Sequence, residues 1–158
     1  MTSSKPERVP DIVTIDMQTL PNVSGVLGSR VFAWLGDFVV LVILGWIVFL
    51  LLGMLGLVTF GLTWLLMPVA AVATILGYAA ITIGGEKQAT LGMRMAGLKV
   101  EKVNGTRPDG LAAAVHALMF YVAAGSIGLL ALSVGIGLMR ADRRMGHDLL
   151  AGLVVVRR

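Results

Sequence analysis

Few residues in this chain are equipped for chemistry. The first is Asp37, set inside "SRVFAWLGDFVVLVILGWIVFLLL", residues 29 to 52. It is the only formally charged side chain between residues 31 and 83, and insertion scales put its cost at roughly 2.5–3.5 kcal/mol at mid-helix, less near the interface. An acid admitted at that cost is either paired and structural or at work. Arg30 stands two turns earlier on the same helix face, about 10.5 Å along the axis, so a direct bond would be strained. At the interface its guanidinium reaches lipid phosphates or a second acid, Asp148, while Asp37 meets a donor from another helix. In the structural reading Arg30, Asp37 and Asp148 form a polar clamp that locks the first helix to a cytoplasmic cap. In the functional reading Asp37 exchanges a proton for a cation. His116 belongs with that second reading, because it is the ionisable nitrogen within the second apolar block, residues 111 to 139, and an imidazole is able to titrate near neutral pH. A hydroxyl stripe of Thr74, Tyr78 and Thr82, at i, i+4 and i+8, either lines a wet path or bonds across helices and to its own i−4 carbonyls.

Other chemistry is poorly represented. "GHD", residues 146 to 148, sets His147 beside Asp148, but neighbouring helical residues point about 100° apart, and no nucleophile or second acid stands at useful spacing. Two histidines in the whole chain argue against a zinc site. The glycines of "TLGMR" and "TIGGEK" fit no phosphate-binding loop. Without cysteine there is no disulfide, thiolate metal site or cysteine nucleophile. The chain reads as non-enzymatic, with no cofactor and no metal.

The elements that must hold these residues follow from composition. Of 158 residues, 57% are hydrophobic and 14% charged, and the mean hydropathy is +0.89. That exceeds the needs of a soluble core and marks an integral membrane protein. The net charge of +4 does not point to nucleic acid, because the basic residues flank apolar blocks instead of covering a soluble face. All 13 Lys and Arg fall before residue 31, between 87 and 107, or after 139. The positive-inside rule places all three groups in the cytoplasm, making each apolar block a round trip with both termini cytoplasmic. Residues 31 to 83 hold two spans, about 31–54 and 61–83, with Pro68 kinking the second. Residues 111 to 139 are long for one tilted helix and short for two crossings, so a shallow or re-entrant hairpin broken at Gly125 and Ser126 is expected, with a single tilted helix as the alternative.

A polar cytoplasmic arm, residues 1–28, precedes this membrane domain, which runs from 29 to 158 with a cytoplasmic segment at 84–110 and a tail at 140–158. Alternation at Leu98, Val100 and Val103, the turn signal Asn104-Gly105, and the echo of Ala96-Gly97-Leu98 in Ala151-Gly152-Leu153 predict a small β-pair, about 97–103 with 153–157. The expected class is an all-α membrane protein with two transmembrane helices, a second short helical hairpin and this β-pair. Two strands alone are marginal in water, so the pair leans on the membrane face, on helix ends or on another protein.

Arg30, Ala33 and Asp37 at the head of the first span, "TLGMRMAGLKV" at 90–100 and "RRMGHDLLAGLVVV" at 143–156, in that order around two apolar blocks, resemble the RDD family of small bacterial membrane proteins. The resemblance covers residue 29 to the end and implies the bacterial inner membrane, with ion or small-solute transport among the roles proposed for the family. Where that family often carries an arginine early in the third hydrophobic segment, this chain has His116. Two functions are then expected. One is an accessory or adaptor subunit with a structural Arg/Asp/Asp cluster, whose arm, with Pro6, Pro10 and Pro21 around a partly apolar run, orders on a partner. The other is a monovalent cation, proton or small-solute transporter using Asp37, which for a chain this small requires an oligomer. Both imply a lipid bilayer, a homo-oligomer or larger membrane complex, and no nucleic acid.

Overall fold

A computed structural model of the chain describes residues 22–158. The first helix, α1 (Val26–Val58), has 33 residues and runs for roughly 50 Å, well beyond a hydrocarbon core of about 30 Å. Its large apolar side chains are exposed along most of its length, Phe32, Trp46 and Leu57 among them. In water such a surface would be a liability; in lipid it faces its proper solvent. A turn at Thr59–Gly61 leads through a 3-10 turn, Leu62–Leu66, into α2 (Met67–Ile83). These two apolar stretches, Val26–Val58 and Leu62–Ile83, are each long enough to cross a membrane.

Pro68 corrects one expectation. It sits in the first turn of α2, next to the 3-10 turn, and not in the interior of an α-helix, so its missing N–H has no α-helical partner to lose. The preceding residues hold the turn instead: the Thr63 hydroxyl bonds Leu52 O at 3.3 Å and Trp64 Nε1 donates to Gly53 O at 3.3 Å.

After α2 comes a one-turn helix, α3 (Leu91–Met95), and then β1 (Leu98–Lys102). The second apolar block is two helices, α4 (Gly110–Ala124) and α5 (Ile127–Met139), broken at Gly125 and Ser126. At 15 and 13 residues each is shorter than the about 20 residues of a full span, and the single long helix is not formed. A further one-turn helix, α6 (Gly146–Leu150), precedes β2 (Leu153–Arg157).

The strands pair antiparallel, with Val100 opposite Val155 at the centre. The Ala-Gly-Leu echo has a structural counterpart. Each one-turn helix passes through Ala-Gly, with Gly97 at φ 67° and Gly152 at φ 66°, a left-handed conformation that glycine adopts without a Cβ penalty. The pair leans on helix ends: Leu98, Val100, Leu153 and Val155 are buried against Val26 and Ala33 of α1, Ile83 of α2 and Ala113 of α4. Sheet, α3 and α6 thus form a cap over one end of the helices. The N-terminal arm lies, for residues 1–21, outside the described residues.

Candidate functional site

Asp37 is held by its own chain. Tyr78 Oη on α2 donates to Oδ1 at 2.7 Å, the Gly92 N–H to the same oxygen at 2.8 Å, and Thr90 Oγ1 to Oδ2 at 2.6 Å. The last two donors belong to the start of α3, where Thr90 is also the N-cap, accepting from the Met93 N–H at 3.1 Å. Charge-assisted bonds of this length are the strong class, and a helix N-terminus supplies N–H groups suited to an anion. Tyr78 Oη in turn accepts from the Leu91 N–H at 2.9 Å. Asp37 therefore ties three elements: α1, which carries it, α2 through Tyr78, and α3 through Thr90 and Gly92.

Gly92 explains how α3 comes so close. A Cβ there would collide with the Ala33 carbonyl oxygen and crowd Asp37 Cγ, and one on Gly36 would stand 3.2 Å from Gly92 Cα. Backbone meets backbone at this crossing, and any side chain at position 92 would push the N–H away from the carboxylate.

Asp148 anchors a second cluster, separate from the first. Arg30 Nη1 lies 2.6 Å from its Oδ2, which also accepts from the Met145 N–H at 2.9 Å. Asp148 is fully buried and Arg30 nearly so. On the other side, His116 Nδ1 stands 3.5 Å and His147 Nε2 3.4 Å from Asp148 Oδ1. Those approaches are close but poorly aligned: Asp148 Oδ1, His116 Nδ1, and Arg30 Nε and Nη2 have no hydrogen-bond partner among the described residues. His147 is fixed from behind by Ser133 of α5, whose hydroxyl is 3.0 Å from Nδ1. Burial pushes the His147 imidazole down to about 4 against the opposing pull of Asp148, leaving it neutral at pH 7. Burial would raise Asp148, but the Arg30 guanidinium foremost, with the imidazoles once protonated and the Met145 N–H, outweighs it and holds the carboxyl below its ordinary value.

The sequence candidates thus divide. Arg30, Asp148 and His116 come together; Asp37 joins a different set of donors on the same side of the molecule. A cavity of about 360 Å³ is lined by members of both clusters, Arg30, Asp37, Tyr78, His116 and His147, and by apolar side chains such as Phe120 and Val134. The hydroxyl stripe is mostly self-satisfied: Thr74 and Thr82 donate to the i−4 carbonyls of Ala70 and Tyr78. Thr90, Gly92 and Ser133 escaped the sequence reading. Thr90 alone left a signal, as a hydroxyl residue directly before a helical run.

Searches of curated proteins and of solved structures return no match. The family comparison does: residues 25–152 match the RDD family. That stretch includes Arg30, Asp37 and Asp148, the one-turn helices and most of the apolar helices, so the chain belongs to the RDD family.

Proposed function

We propose that this chain is a non-enzymatic accessory or adaptor subunit of the bacterial inner membrane, multi-pass with cytoplasmic termini, whose N-terminal arm binds a larger complex beside a cap held fixed on the helices. The observation that carries this reading is the engagement of Asp37. Its two oxygens receive three bonds of 2.6–2.8 Å from Tyr78, Thr90 and Gly92. A carboxylate so satisfied by its own fold is a fastener: binding a cation or cycling a proton would require those bonds to break. The Arg30–Asp148 pair fastens the other side of the same cap.

The experiment removes residues 1–21 and keeps Asn22 and Ser24, because Asn22 O accepts from the Arg157 N–H and Ser24 O from Arg157 Nε. An adaptor of this kind loses a stoichiometric membrane partner on that deletion while its melting temperature in detergent stays put. Unchanged co-purification with the shortened chain would count against it.

A second reading, an oligomeric transporter of monovalent cations, protons or small solutes through Asp37, draws support from the cavity, which Asp37, Arg30 and His116 all line. It requires the wild-type chain to carry flux in liposomes and Asp37→Asn to abolish it.

A further inference from the structure

The chain contains two histidines, and the fold brings both to one carboxylate from three directions of support: His116 from α4, His147 and Asp148 from α6, with Ser133 of α5 behind. We propose that His116, His147 and Asp148 form a binding site for a borderline divalent cation of the zinc type, with three protein ligands.

Four observations carry this. The donor set, two imidazoles and a carboxylate, is one that zinc accepts. A tetrahedral ion with bonds of about 2.0–2.1 Å holds its ligand atoms about 3.3–3.4 Å apart, and Asp148 Oδ1 lies 3.4 Å from His147 Nε2 and 3.5 Å from His116 Nδ1. One ligand atom from each of the three residues falls within 4.8 Å of the others. His116 Nδ1 and Asp148 Oδ1 are buried and lack any hydrogen-bond partner among the described residues, a costly arrangement for two polar atoms 3.5 Å apart, and one that a cation between them would satisfy.

The supporting contacts are those of a ligand set held in place. Ser133 Oγ on His147 Nδ1 leaves Nε2 to face Asp148, the usual way an imidazole ligand is oriented by its other nitrogen. Arg30 Nη1 and the Met145 N–H hold the second carboxylate oxygen, so Oδ1 is the one turned to the imidazoles. The charge of Arg30 opposes a cation and sets the affinity below that of a site without it. Both imidazoles line the cavity, where the remaining coordination position is open to water or to a donor group of a cavity ligand. Local spacing could not show this set, because adjacent His147 and Asp148 converge with His116 only after α4 and α6 pack. The proposal does not depend on what Asp37 does.

The test uses the full chain without a polyhistidine tag, purified in detergent and stripped with chelator. Zn²⁺ titration by calorimetry, with metal analysis after dialysis, is expected to give one ion per chain and a higher melting temperature. Co²⁺ in its place is expected to give the visible absorption bands of a tetrahedral ion. Ser133→Ala, which removes the orienting hydroxyl, weakens binding about 10–100-fold; His116→Gln and His147→Gln weaken it further. Wild-type chain that takes up no stoichiometric Zn²⁺ and shows no thermal shift overturns the proposal. So does binding that survives in the double histidine variant. If a histidine variant fails to fold, the wild-type thermal shift and the Ser133→Ala titration still decide.

Discussion

Asp37 and Gly92 act as a pair, one supplying the charge and the other the room. Replacing Asp37 by Asn keeps the volume but removes the charge and places an NH₂ group among the Tyr78, Thr90 and Gly92 donors, so about 1–3 kcal/mol of stability is lost. Gly92→Ala forces a methyl into the Ala33 carbonyl and costs about 1–3 kcal/mol by overpacking, although the residue itself makes no side-chain contact. Thermal unfolding in detergent checks both; a melting temperature unmoved by Gly92→Ala would mean that α3 does not sit on α1 as described. At this scale the sequence showed which residue was unusual and not what held it. A lone carboxylate in an apolar run is conspicuous, and so is its distance from Arg30 along the helix. Its donors come from 41, 53 and 55 residues away, and a glycine in "TLGMR" carries no local mark of the backbone it will meet.

Helix ends supply the clearest test among the elements. Asp109 caps α4, accepting from the Ala112 N–H at 2.7 Å and from Lys102 Nζ at 2.8 Å. The Lys102 bond foremost, then the Ala112 N–H, holds its carboxyl below the ordinary 3.8. A carboxyl held low in the folded state stabilises fully above its unfolded value and loses that contribution as pH falls through the folded one. Asp109→Ala therefore melts at a lower temperature than the wild type at pH 7, and the gap narrows as the pH drops below about 4; a gap independent of pH would exclude the charge from the cap. The elements themselves were largely legible. Gly125-Ser126 marked the break between α4 and α5, and Ala-Gly-Leu marked both strand starts, because turn and cap chemistry is local. Pro68 misled for the same reason: proline is compatible with a helix start as well as with a kink, and the choice between them lay in the 3-10 turn packed on Leu52 and Gly53.

For the whole molecule, the cap is fastened to the membrane helices through two acids, Asp148 fully buried and Asp37 partly so, and each should fail in its own way. Arg30→Met leaves Asp148 buried and uncompensated and destabilises by about 3–5 kcal/mol, whereas Arg30→Met with Asp148→Leu recovers much of that loss, since an apolar pair can replace a buried ion pair. Equal stability of the single and double variants in thermal unfolding would show that an uncompensated Asp148 is not the cause of the loss. The reading of the chain as fastened, with Asp37 as a structural clamp, is tested most directly by reconstituting wild type and Asp37→Asn in proteoliposomes and measuring pH-driven monovalent cation flux beside the melting temperature. The clamp predicts no flux from either protein and a lower melting temperature for the variant. Flux through the wild type that disappears in an Asp37→Asn protein of unchanged stability would contradict it and make the carboxylate a transport site.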